Sequence, residues 1–394
     1  MNRIYFDHAA TTPLDKRVLE KMTPYFTEIA GNANSQHFFG REAMKAVDAA
    51  RDKIASLIGA RPSEIYFTSG GTEADNWALR GIAAAFANKG KHMIISKIEH
   101  AAMITTAQEL EKQGYEFTYL GVDENGVVDL NELEKAIRPD TIFIGVMYAN
   151  NEVGTIEPIK EVAEIAKKHG IVCFSDCVQA MGAIPVNVKE LGVDLISFSA
   201  HKFYGPKGIG ALYIRNGLPI GRIITGGHQE RTKRGGTTNV PAVVGFAEAL
   251  SLAEKELEAN AEYVTALRDR FIDRVIAEIP YVKLNGHRTQ RLPNNADISF
   301  EYIEGESILF SLDLEGIAVS SGSACSSGSL EPSHVLLAMG VDEALAHGSI
   351  RFTFGKRNTV EEIDYAVDKL KEIVARLRAM SPLFAEIKGE VKNV

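Results

Sequence analysis

The sequence predicts an α/β protein in which helices cover both faces of a mostly parallel seven-stranded sheet, joined to a smaller α+β region. Seven short apolar runs alternate with helical patterns between residues 64 and 214. Such alternation is typical of parallel strands that are connected by helices. Beyond residue 280 three further strand-like runs lie between helical patterns. A content of 45% hydrophobic and 24% charged residues is ordinary for a globular chain of 394 residues.

The predicted strands of the sheet are apolar runs that are each too short for a helix. They are Ile65–Thr68, Met93–Ser96, Phe117–Leu120, Ile142–Val146, Val172–Ser175, Leu195–Phe198 and Ala211–Ile214. The predicted helices repeat apolar residues at every third or fourth position. They lie at residues 15–30, 40–58, 72–88, 101–113, 130–137 and 158–169.

A second domain is predicted after a long helical pattern that runs from Ala242 to Ile279 and ends at Pro280. We interpret this pattern as one bridging helix. The strands predicted beyond it are Asp297–Phe300, Ile317–Ser320 and Ile350–Phe354, and the helices lie near 305–313, 332–339 and 359–379. The predicted division is a large domain of residues 14–258 and a small domain of residues 1–13 and 259–394, which carries a loop at 320–332.

The charge and the cysteine content exclude several classes of protein. A net charge of −9 disfavours broad binding to nucleic acid or to an anionic membrane. The sequence has no apolar run long enough to cross a bilayer, and its first residues lack a signal-peptide pattern. Three cysteines (Cys173, Cys177 and Cys325) do not make a disulfide framework. We therefore expect a cytoplasmic protein in a reducing compartment.

Residues 194–214 place a lysine where a predicted strand ends. Ser199, His201 and Lys202 follow the buried run Leu195–Phe198, and the turn-rich stretch 204–210 comes next. Burial and nearby positive charge lower the pKa of a lysine from about 10.4, so that its amine can form a Schiff base with a carbonyl. A single lysine at such a position is more commonly a surface residue. The surrounding motifs decide between the two interpretations.

Four other polar clusters follow predicted strands, where an open α/β sheet binds its ligand. They are Thr68–Glu73, Glu99–His100, Ala149–Gly154 and Asp176–Gln179. The first suits a phosphate through free amides and a hydroxyl, although a simple helix cap has the same residues. His100 can stack on a flat ring or move protons, and the alternative is an exposed turn histidine. Asp176 needs a cationic partner because it ends a buried strand, and a protonated heterocyclic nitrogen would supply one.

A fifth cluster, residues 226–237, is a basic glycine-rich loop that ends in Thr237. Taken together, the Lys202 segment and these five clusters supply a Schiff-base lysine, a carboxylate for a pyridinium nitrogen, an aromatic ring for stacking and donors for a phosphate. A pyridoxal phosphate enzyme needs this set of groups. The joint occurrence, rather than any one cluster, predicts such a cofactor.

Over essentially its whole length the chain resembles the cysteine desulfurases of the NifS/IscS class, which are pyridoxal phosphate-dependent and class-V aminotransferase-like. The stretches that carry the resemblance are YFDHAATTPLD (5–15), FTSGGTEADN (67–76), IEHAAM (98–103), ANNEVGTIEPI (149–159), SDCVQAMGAIPVNV (175–188), SFSAHKFYGPKGIGALYIR (197–215), GGHQERTKRGGT (226–237) and SSGSACSSGSLEPSHVL (320–336). The resemblance implies fold type I of the pyridoxal phosphate-dependent transferases, the aspartate aminotransferase-like fold. It also implies a homodimer with shared active sites.

The resemblance assigns roles to individual residues. Lys202 would form the Schiff base, His100 would stack on the ring and manage protons, and Asp176 would pair with the ring nitrogen. The other implied cofactor contacts are Gly71, Thr72, Asn151, Gln179, Ser199, His201 and, across the subunit interface, Thr237. The implied partners of the substrate carboxylate are Asn34, Asn151 and Arg351. Cys177 departs from the family, which usually has a small residue such as alanine at this position.

Cys325 lies in the segment 320–329, in which eight of ten residues are Ser or Gly. A thiol in such a segment can approach a substrate and withdraw, whereas a structural cysteine tends to lie in an apolar run. The alternative is a linker with an incidental cysteine. The resemblance implies that Cys325 takes sulfur from L-cysteine as a persulfide, with release of L-alanine, and passes it to an iron–sulfur scaffold protein. It implies no resident metal, although Cys325 could transiently share a [2Fe–2S] cluster.

Two other functions fit the same motifs. One is an aminotransferase or lyase of the same fold in which Cys325 takes no part. The other is a catalytically silent scaffold that binds sulfur-transfer partners. Loss of Lys202 or Asp176 would have favoured the silent scaffold, and both residues are present.

Overall fold

The computed structural model describes residues 3–321 and 331–387. Its strands are β1 Ile4–Tyr5, β2 Ile65–Thr68, β3 His92–Ser96, β4 Glu116–Leu120, β5 Thr141–Gly145, β6 Val172–Asp176, β7 Leu195–Ser199, β8 Gly210–Ile214, β9 Val282–Asn285, β10 Asn295–Phe300, β11 Ile317–Ala318, β12 Ser320–Ser321 and β13 Ser349–Thr353. Its helices are α1 Lys16–Met22, α2 Pro24–Thr27, α3 Phe38–Leu57, α4 Gly71–Phe86, α5 Ala101–Glu111, α6 Leu130–Ala136, α7 Ile159–His169, α8 Val188–Leu191, α9 Val240–Lys255, α10 Leu257–Glu278, α11 Gly305–Leu314, α12 His334–Ala338, α13 Glu343–His347, α14 Val360–Met380 and α15 Pro382–Ile387. Within these ranges, none of the helices combines the length and the apolar character that a membrane crossing requires.

The largest sheet has seven strands in the order β2-β8-β7-β6-β5-β3-β4. Strand β8 runs antiparallel to both of its neighbours, and the other pairs are parallel. Strands β5, β6 and β7 are buried along their whole length, as expected when helices cover both faces. The prediction of a mostly parallel seven-stranded α/β sheet is confirmed.

The antiparallel pairing of β7 and β8 decides where Lys202 lies. Ser199, the last residue of β7, pairs with Gly210 at the start of β8. The chain between them must therefore reverse direction, and it does so through a short 3₁₀ turn at Ala200–Lys202. Because the chain turns back directly after β7, Lys202 stays at the carboxyl end of the sheet. A long helix after the strand would place it farther from this edge.

The remaining strands form a four-stranded sheet, β12-β13-β10-β9, and a two-stranded sheet, β1-β11. The four-stranded sheet is antiparallel throughout. Its buried residues join those of α10, α11 and α14 in an apolar cluster that is separate from the clusters around the large sheet. The N-terminal strand β1 contributes Ile4 to this cluster, and Phe6, the residue after the strand, also belongs to it. The boundaries of the two domains stay a prediction.

The predicted single helix from Ala242 to Ile279 is wrong, because it is two helices that meet at Glu256. The backbone of Glu256 (φ −99°, ψ 2°) leaves the helical conformation. Its carboxylate accepts hydrogen bonds from Arg17 at 2.7 Å and from Lys356 at 2.9 Å. These two cations hold the side chain at the junction and lower its pKa to about 2. Neither glycine nor proline marks the break, so the helical pattern did not reveal it.

Two further elements differ from the prediction. The predicted strand Ile317–Ser320 is divided between two sheets, because β11 pairs with the N-terminal β1 while β12 pairs with β13. A sequence pattern cannot distinguish one continuous strand from two short strands that pair in different sheets. The predicted helix at 15–30 is also divided, since α2 begins at Pro24, where the missing N–H interrupts the ladder of α1.

Candidate active site

A cleft of about 510 Å³ lies where the parallel strands of the large sheet end. Its walls combine the loops after β3, β5, β6 and β7 with the start of α4, the N-terminal loop and the edge of the four-stranded sheet. The predicted site residues that line it are Gly71, Thr72, His100, Asn151, Asp176, Gln179, Ser199, His201, Lys202 and Arg351. The arrangement agrees with the rule that open α/β sheets bind ligands at the carboxyl ends of their strands.

Lys202 points its amine toward the N-terminal loop. The Nζ atom donates to the carbonyl oxygens of Ala9 at 2.5 Å and Ala10 at 3.0 Å. Gln179 donates from Nε2 to the same Ala9 carbonyl at 2.9 Å. The backbone carbonyl groups of residues 9–10 therefore orient both the Lys202 amine and the Gln179 amide in the cleft. This role accounts for the polar turn in the N-terminal motif.

Asp176 is 4% exposed at the end of β6 and faces the cleft. Burial raises the pKa of its carboxyl, although His100, the Val178 N–H and Lys202 oppose that shift. The Val178 N–H donates to Asp176 Oδ1 at 2.8 Å. A buried carboxylate at this position gains most from a cationic partner inside the cleft, and a protonated ring nitrogen is such a partner. The donor set thus fits the pyridine end of pyridoxal phosphate.

His100 both caps a helix and lines the cleft. Its Nδ1 accepts a hydrogen bond from the Ala102 N–H at 3.1 Å at the start of α5. Burial lowers the pKa of the ring, and Lys202 and His334 act in the same direction, while Asp176 opposes them. A neutral ring whose Nδ1 accepts must carry its proton on Nε2. The cap therefore selects the tautomer and leaves Nε2 to exchange protons.

The start of α4 forms the anion-binding end of the cleft. Helix α4 begins at Gly71 without a side-chain cap, next to Thr72, Ser199 and His201. A Cβ atom on Gly71 would lie 2.8 Å from Val178 Cγ2, so glycine allows this close approach without a shift of the valine. Burial, aided by Lys202 and Lys207, lowers the pKa of His201 to about 4. These amide, hydroxyl and neutral imidazole groups fit a phosphate.

Arg351 is buried in the middle of β13, and its guanidinium faces the cleft. Its Nη2 donates to Asp7 Oδ1 and its Nη1 donates to the Asn151 carbonyl oxygen, both at 3.1 Å. Its buried Nε has no hydrogen-bond partner among the described residues. A buried unpaired donor is costly, and a carboxylate that binds in the cleft can satisfy it.

Two predicted site residues do not line this cleft, and the position of a third is not described. Asn34 is exposed in the loop before α3, and Thr237 is exposed in a separate depression formed by residues 67–69, 208–209 and 229–243. Cys325 lies outside the described residues. The roles of all three stay predictions.

The loop that carries Thr237 is fixed to its own chain more firmly than the sequence suggested. Arg234 makes a bidentate ion pair with Glu73 at 2.8 and 3.0 Å, so it is not a free phosphate ligand. Glu230 makes a second bidentate pair with Arg51, both contacts at 2.8 Å. The loop thus has a structural role within its own subunit. Its two ion pairs hold the loop in place and leave Thr237 exposed.

Sequence reasoning gave no role to four acidic residues in and behind the cleft. Asp7 and Asp75 line it, while Glu99 and Glu152 are fully buried behind it. Burial raises the pKa of Glu99 to about 8 and that of Glu152 to about 7. One signal was available, because Asp75 interrupts the apolar stripe that Ala78, Leu79 and Ile82 form along α4.

Glu152 and Glu99 also hold the chain just beyond the undescribed segment 322–330. The Ser333 hydroxyl donates to Glu152 Oε2, and the His334 ring contacts the Glu99 carbonyl oxygen at 3.0 Å. Each of these glutamates is adjacent in sequence to a cleft residue, Asn151 or His100. The start of α12 is thus attached directly to two walls of the cleft.

The other two cysteines are buried free thiols. Cys173 and Cys177 belong to the apolar cluster on one face of the large sheet. Burial raises the pKa of both thiols, which disfavours the reactive thiolate. Although Cys177 follows Asp176, it does not line the cleft.

Comparison with known proteins identifies relatives over nearly the full chain. The family model for aminotransferase class-V matches residues 4–366. The cysteine desulfurase IscS of Dictyoglomus turgidum is 56% identical over 390 residues, which cover 99% of this chain and 99% of that relative. A solved structure described as a NIFS-like protein has a TM-score of 0.90 and 42% identity, covering 95% of this chain and all (100%) of the other. A structure of SspA in complex with cysteine has a TM-score of 0.80 and 34% identity, covering 91% of this chain and 100% of the other.

Proposed function

The chain belongs to the class-V aminotransferase family and, within it, to the cysteine desulfurases of the NifS/IscS class; from this premise we propose how its residues carry out the reaction. L-cysteine is converted to L-alanine, and its sulfur passes to Cys325 as a persulfide and then to a scaffold protein for iron–sulfur cluster assembly. The cofactor is pyridoxal 5′-phosphate, and the active protein is a cytoplasmic homodimer. The buried free thiols Cys173 and Cys177 suit a reducing compartment.

One observation carries this proposal, namely that a single cleft joins Lys202, Asp176 and Arg351. Asp176 favours a cationic heterocycle, Lys202 supplies an amine, and Arg351 has a buried N–H that a substrate carboxylate can satisfy. A simple hydrolase or kinase site does not require this combination. An α-amino acid and a pyridine ring require all three groups.

In this arrangement Lys202 would hold the cofactor covalently through its amine, and Thr72, Ser199, His201 and the first amides of α4 would hold the phosphate. When bound, the cofactor supplies an electron sink for the breaking Cα–H bond of the substrate. Asp176 would pair as a carboxylate with the ring nitrogen, and Gln179 would bind the ring oxygen.

The substrate is oriented by its carboxylate and deprotonated from a fixed direction. Arg351 and Asn151 on the wall of the cleft would bind the carboxylate, with Asn34 as a further predicted contact, and the Lys202 amine would remove the Cα proton as a general base. His100 carries its exchangeable proton on Nε2 and moves protons between the substrate thiol and Cys325. Because burial disfavours the charged ring, His100 stays neutral and available at physiological pH.

Sulfur transfer then exchanges one bond for another. The Cys325 thiolate attacks the substrate sulfur, a sulfur–sulfur bond forms, and the carbon–sulfur bond of the substrate breaks. The electron pair from the broken bond stays with the substrate Cβ, which takes up a proton, Lys202 returns a proton to Cα, and the product leaves as alanine. L-cysteine and the Cys325 thiol thus give L-alanine and a Cys325 persulfide without an added oxidant.

The proposal is tested by the products formed from L-cysteine. The purified holoprotein should release alanine in amounts equal to the sulfane sulfur that forms on the protein. Its visible absorption should change when L-cysteine is added. Pyruvate or a keto acid in place of alanine would indicate the lyase or aminotransferase alternative, and an unchanged spectrum would indicate the silent scaffold.

If each active site contains residues of both subunits, mixing two chains that are defective at different positions should restore one intact site. Thr237 is exposed on its own chain, on a loop fixed by Arg234 and Glu230, and we place it against the phosphate of the partner subunit. Thr237→Val homodimers should bind the cofactor at least about tenfold more weakly, since a hydrogen bond to a charged group is lost. A heterodimer of Thr237→Val with Lys202→Ala should regain one site of normal affinity.

The control is Thr238→Val, which removes a hydroxyl from the next residue of the same loop and should leave the affinity unchanged. Subunits are exchanged, separated by different tags and titrated with cofactor. If purified heterodimers keep the weak affinity of the Thr237→Val homodimer, then Thr237 acts within its own chain and the shared site is refuted.

A further inference from the structure

Asp75 is a buried carboxyl beside the presumed ring-nitrogen partner, and the function described above gives it no role. It lies in the first turns of α4, is 1% exposed and lines the floor of the cleft. The Ser197 hydroxyl is 2.5 Å from Asp75 Oδ1. Ser197 is the neighbour of Asp176 in the pairing of β6 with β7, and it favours the ionised form of Asp176. One serine therefore contacts the first buried carboxyl and lies beside the second.

Two buried carboxyls on either side of one serine cannot both be ionised at little cost, because like charges repel strongly where water is excluded. Burial raises the pKa of Asp75 well above its ordinary value, and the charge of Asp176 raises it further. Asp176 has the groups that favour an anion, namely the Val178 N–H, His100 and Lys202. Among the described residues, the hydrogen-bond partner of the Asp75 side chain is Ser197 alone.

We infer that Asp75 is a neutral positioning residue that carries the proton of this pair and acts on the cofactor through Ser197 and Asp176. The Asp75 carboxyl O–H donates to Ser197 Oγ, and the Ser197 hydroxyl donates to the Asp176 carboxylate. This chain of donors keeps Asp176 negative and turns its free oxygen toward the ring nitrogen. The inference rests on the proposed function for the identity of the ring, although the proton on Asp75 does not depend on it.

The alternative is an ionised Asp75 that contributes a second negative charge to the cleft. The two possibilities differ in what an uncharged amide would do at this position. Asparagine keeps the shape and can donate from its N–H₂ to Ser197 Oγ, as a neutral carboxyl does, but it cannot supply a charge. If Asp75 is neutral, Asp75→Asn should therefore preserve its function. If Asp75 is ionised, the same substitution should abolish that function.

The first readout is the binding of pyridoxal phosphate to the apoprotein. We expect Asp75→Asn to bind the cofactor within about threefold of the wild type. Asp75→Ala and Ser197→Ala interrupt the donor chain and should weaken binding by about 10- to 100-fold, the range usual for partners that orient a ligating group. Should Asp75→Asn bind as weakly as Asp75→Ala, the neutral carboxyl is refuted. If the wild-type apoprotein fails to bind the cofactor, the proposed function fails instead.

The second readout, the pH dependence of apoprotein unfolding, does not involve the cofactor. A carboxyl whose pKa is raised on folding stabilises the folded state at low pH, and this stabilisation is lost as pH rises through the raised pKa. Asparagine does not titrate, so Asp75→Asn lacks this contribution. The stability of the variant should therefore fall less steeply than that of the wild type as pH rises above the ordinary aspartate pKa of 3.8. Equal slopes for wild type and Asp75→Asn would overturn the inference.

The other ionisable groups around the pair are common to both proteins. They are Asp7, Glu99, His100, Cys177, His201, Lys202 and Arg351. Their titration affects wild type and variant alike, so the difference between the two slopes reports the Asp75 proton. Should Asp75→Ala fail to fold, the comparison of Asp75→Asn with Ser197→Ala tests the inference in the same way.

Discussion

Replacing Lys202 with alanine is expected to abolish covalent attachment of the cofactor and to lower the rate of alanine formation by at least about 10⁴-fold. General base catalysis alone accounts for about 10²- to 10⁴-fold, and the covalent attachment is lost in addition. The amine is irreplaceable because the backbone of residues 9–10 and the 3₁₀ turn fix it at the edge of the sheet. Borohydride reduction followed by peptide mass spectrometry should locate the cofactor on the Lys202 peptide in the wild type only.

The matched control is Lys207→Ala, which removes an exposed amine from the same connection between β7 and β8. This variant should keep the visible absorption band and the activity of the wild type. A Lys202→Ala protein that retained both the reducible linkage and the turnover of L-cysteine would refute the assignment of Lys202. Loss of both in Lys207→Ala would point to the second lysine instead.

The central sheet was predictable because its interior strands are continuous apolar runs. Leu195–Phe198 and Val172–Ser175 were recognised from composition alone, and each strand was found within one residue of the prediction at its ends. The second part of the chain was harder to predict. At Glu256 a helical pattern continues through a break that Arg17 and Lys356 stabilise. These partners are distant in sequence, so no local pattern could reveal their effect.

The cleft was predictable wherever a polar residue directly follows a buried strand. Asp176, Ser199 and His100 were found in this way, since the carboxyl ends of parallel strands share one edge of the sheet. Arg351 was inferred only from the family, because it lies in the middle of β13 and reaches the cleft through the packing of two sheets.

Asp75 shows that a helical periodicity in the sequence does not reveal a buried polar residue. It occupies the buried face of α4, where an apolar residue is expected, and one polar residue does not disturb the helical periodicity. Its partners, Ser197 and Asp176, lie on two strands more than 100 residues away, as the separation of 122 residues between Asp75 and Ser197 indicates. Charged residues on an apolar stripe are therefore candidates for a polar network in the site.

Replacing Cys325 with serine or alanine is expected to lower alanine and persulfide formation by at least about 10³-fold and to leave cofactor binding unchanged. Removal of the Cα proton depends on Lys202 and Asp176 on the rigid sheet, whereas breaking the carbon–sulfur bond needs a second nucleophile. Exchange of the substrate Cα–H with solvent deuterium should therefore continue. Intact-protein and peptide mass spectrometry should assign one added sulfur to the Cys325 peptide after treatment with L-cysteine.

The controls are Cys173→Ala and Cys177→Ala, because both thiols are buried and their pKa values are raised. Neither should lose more than a few-fold of the activity. The two kinds of cysteine differ in what surrounds them: Cys173 is enclosed by strands, while Cys325 lies among Ser and Gly residues, five positions after Ser320 on the wall of the cleft. Full alanine production by Cys325→Ala, or sulfur on the Cys177 peptide, would contradict the mechanism. Since proton exchange and sulfur transfer are measured separately, the variant that stops only the second step identifies the residue that accepts sulfur.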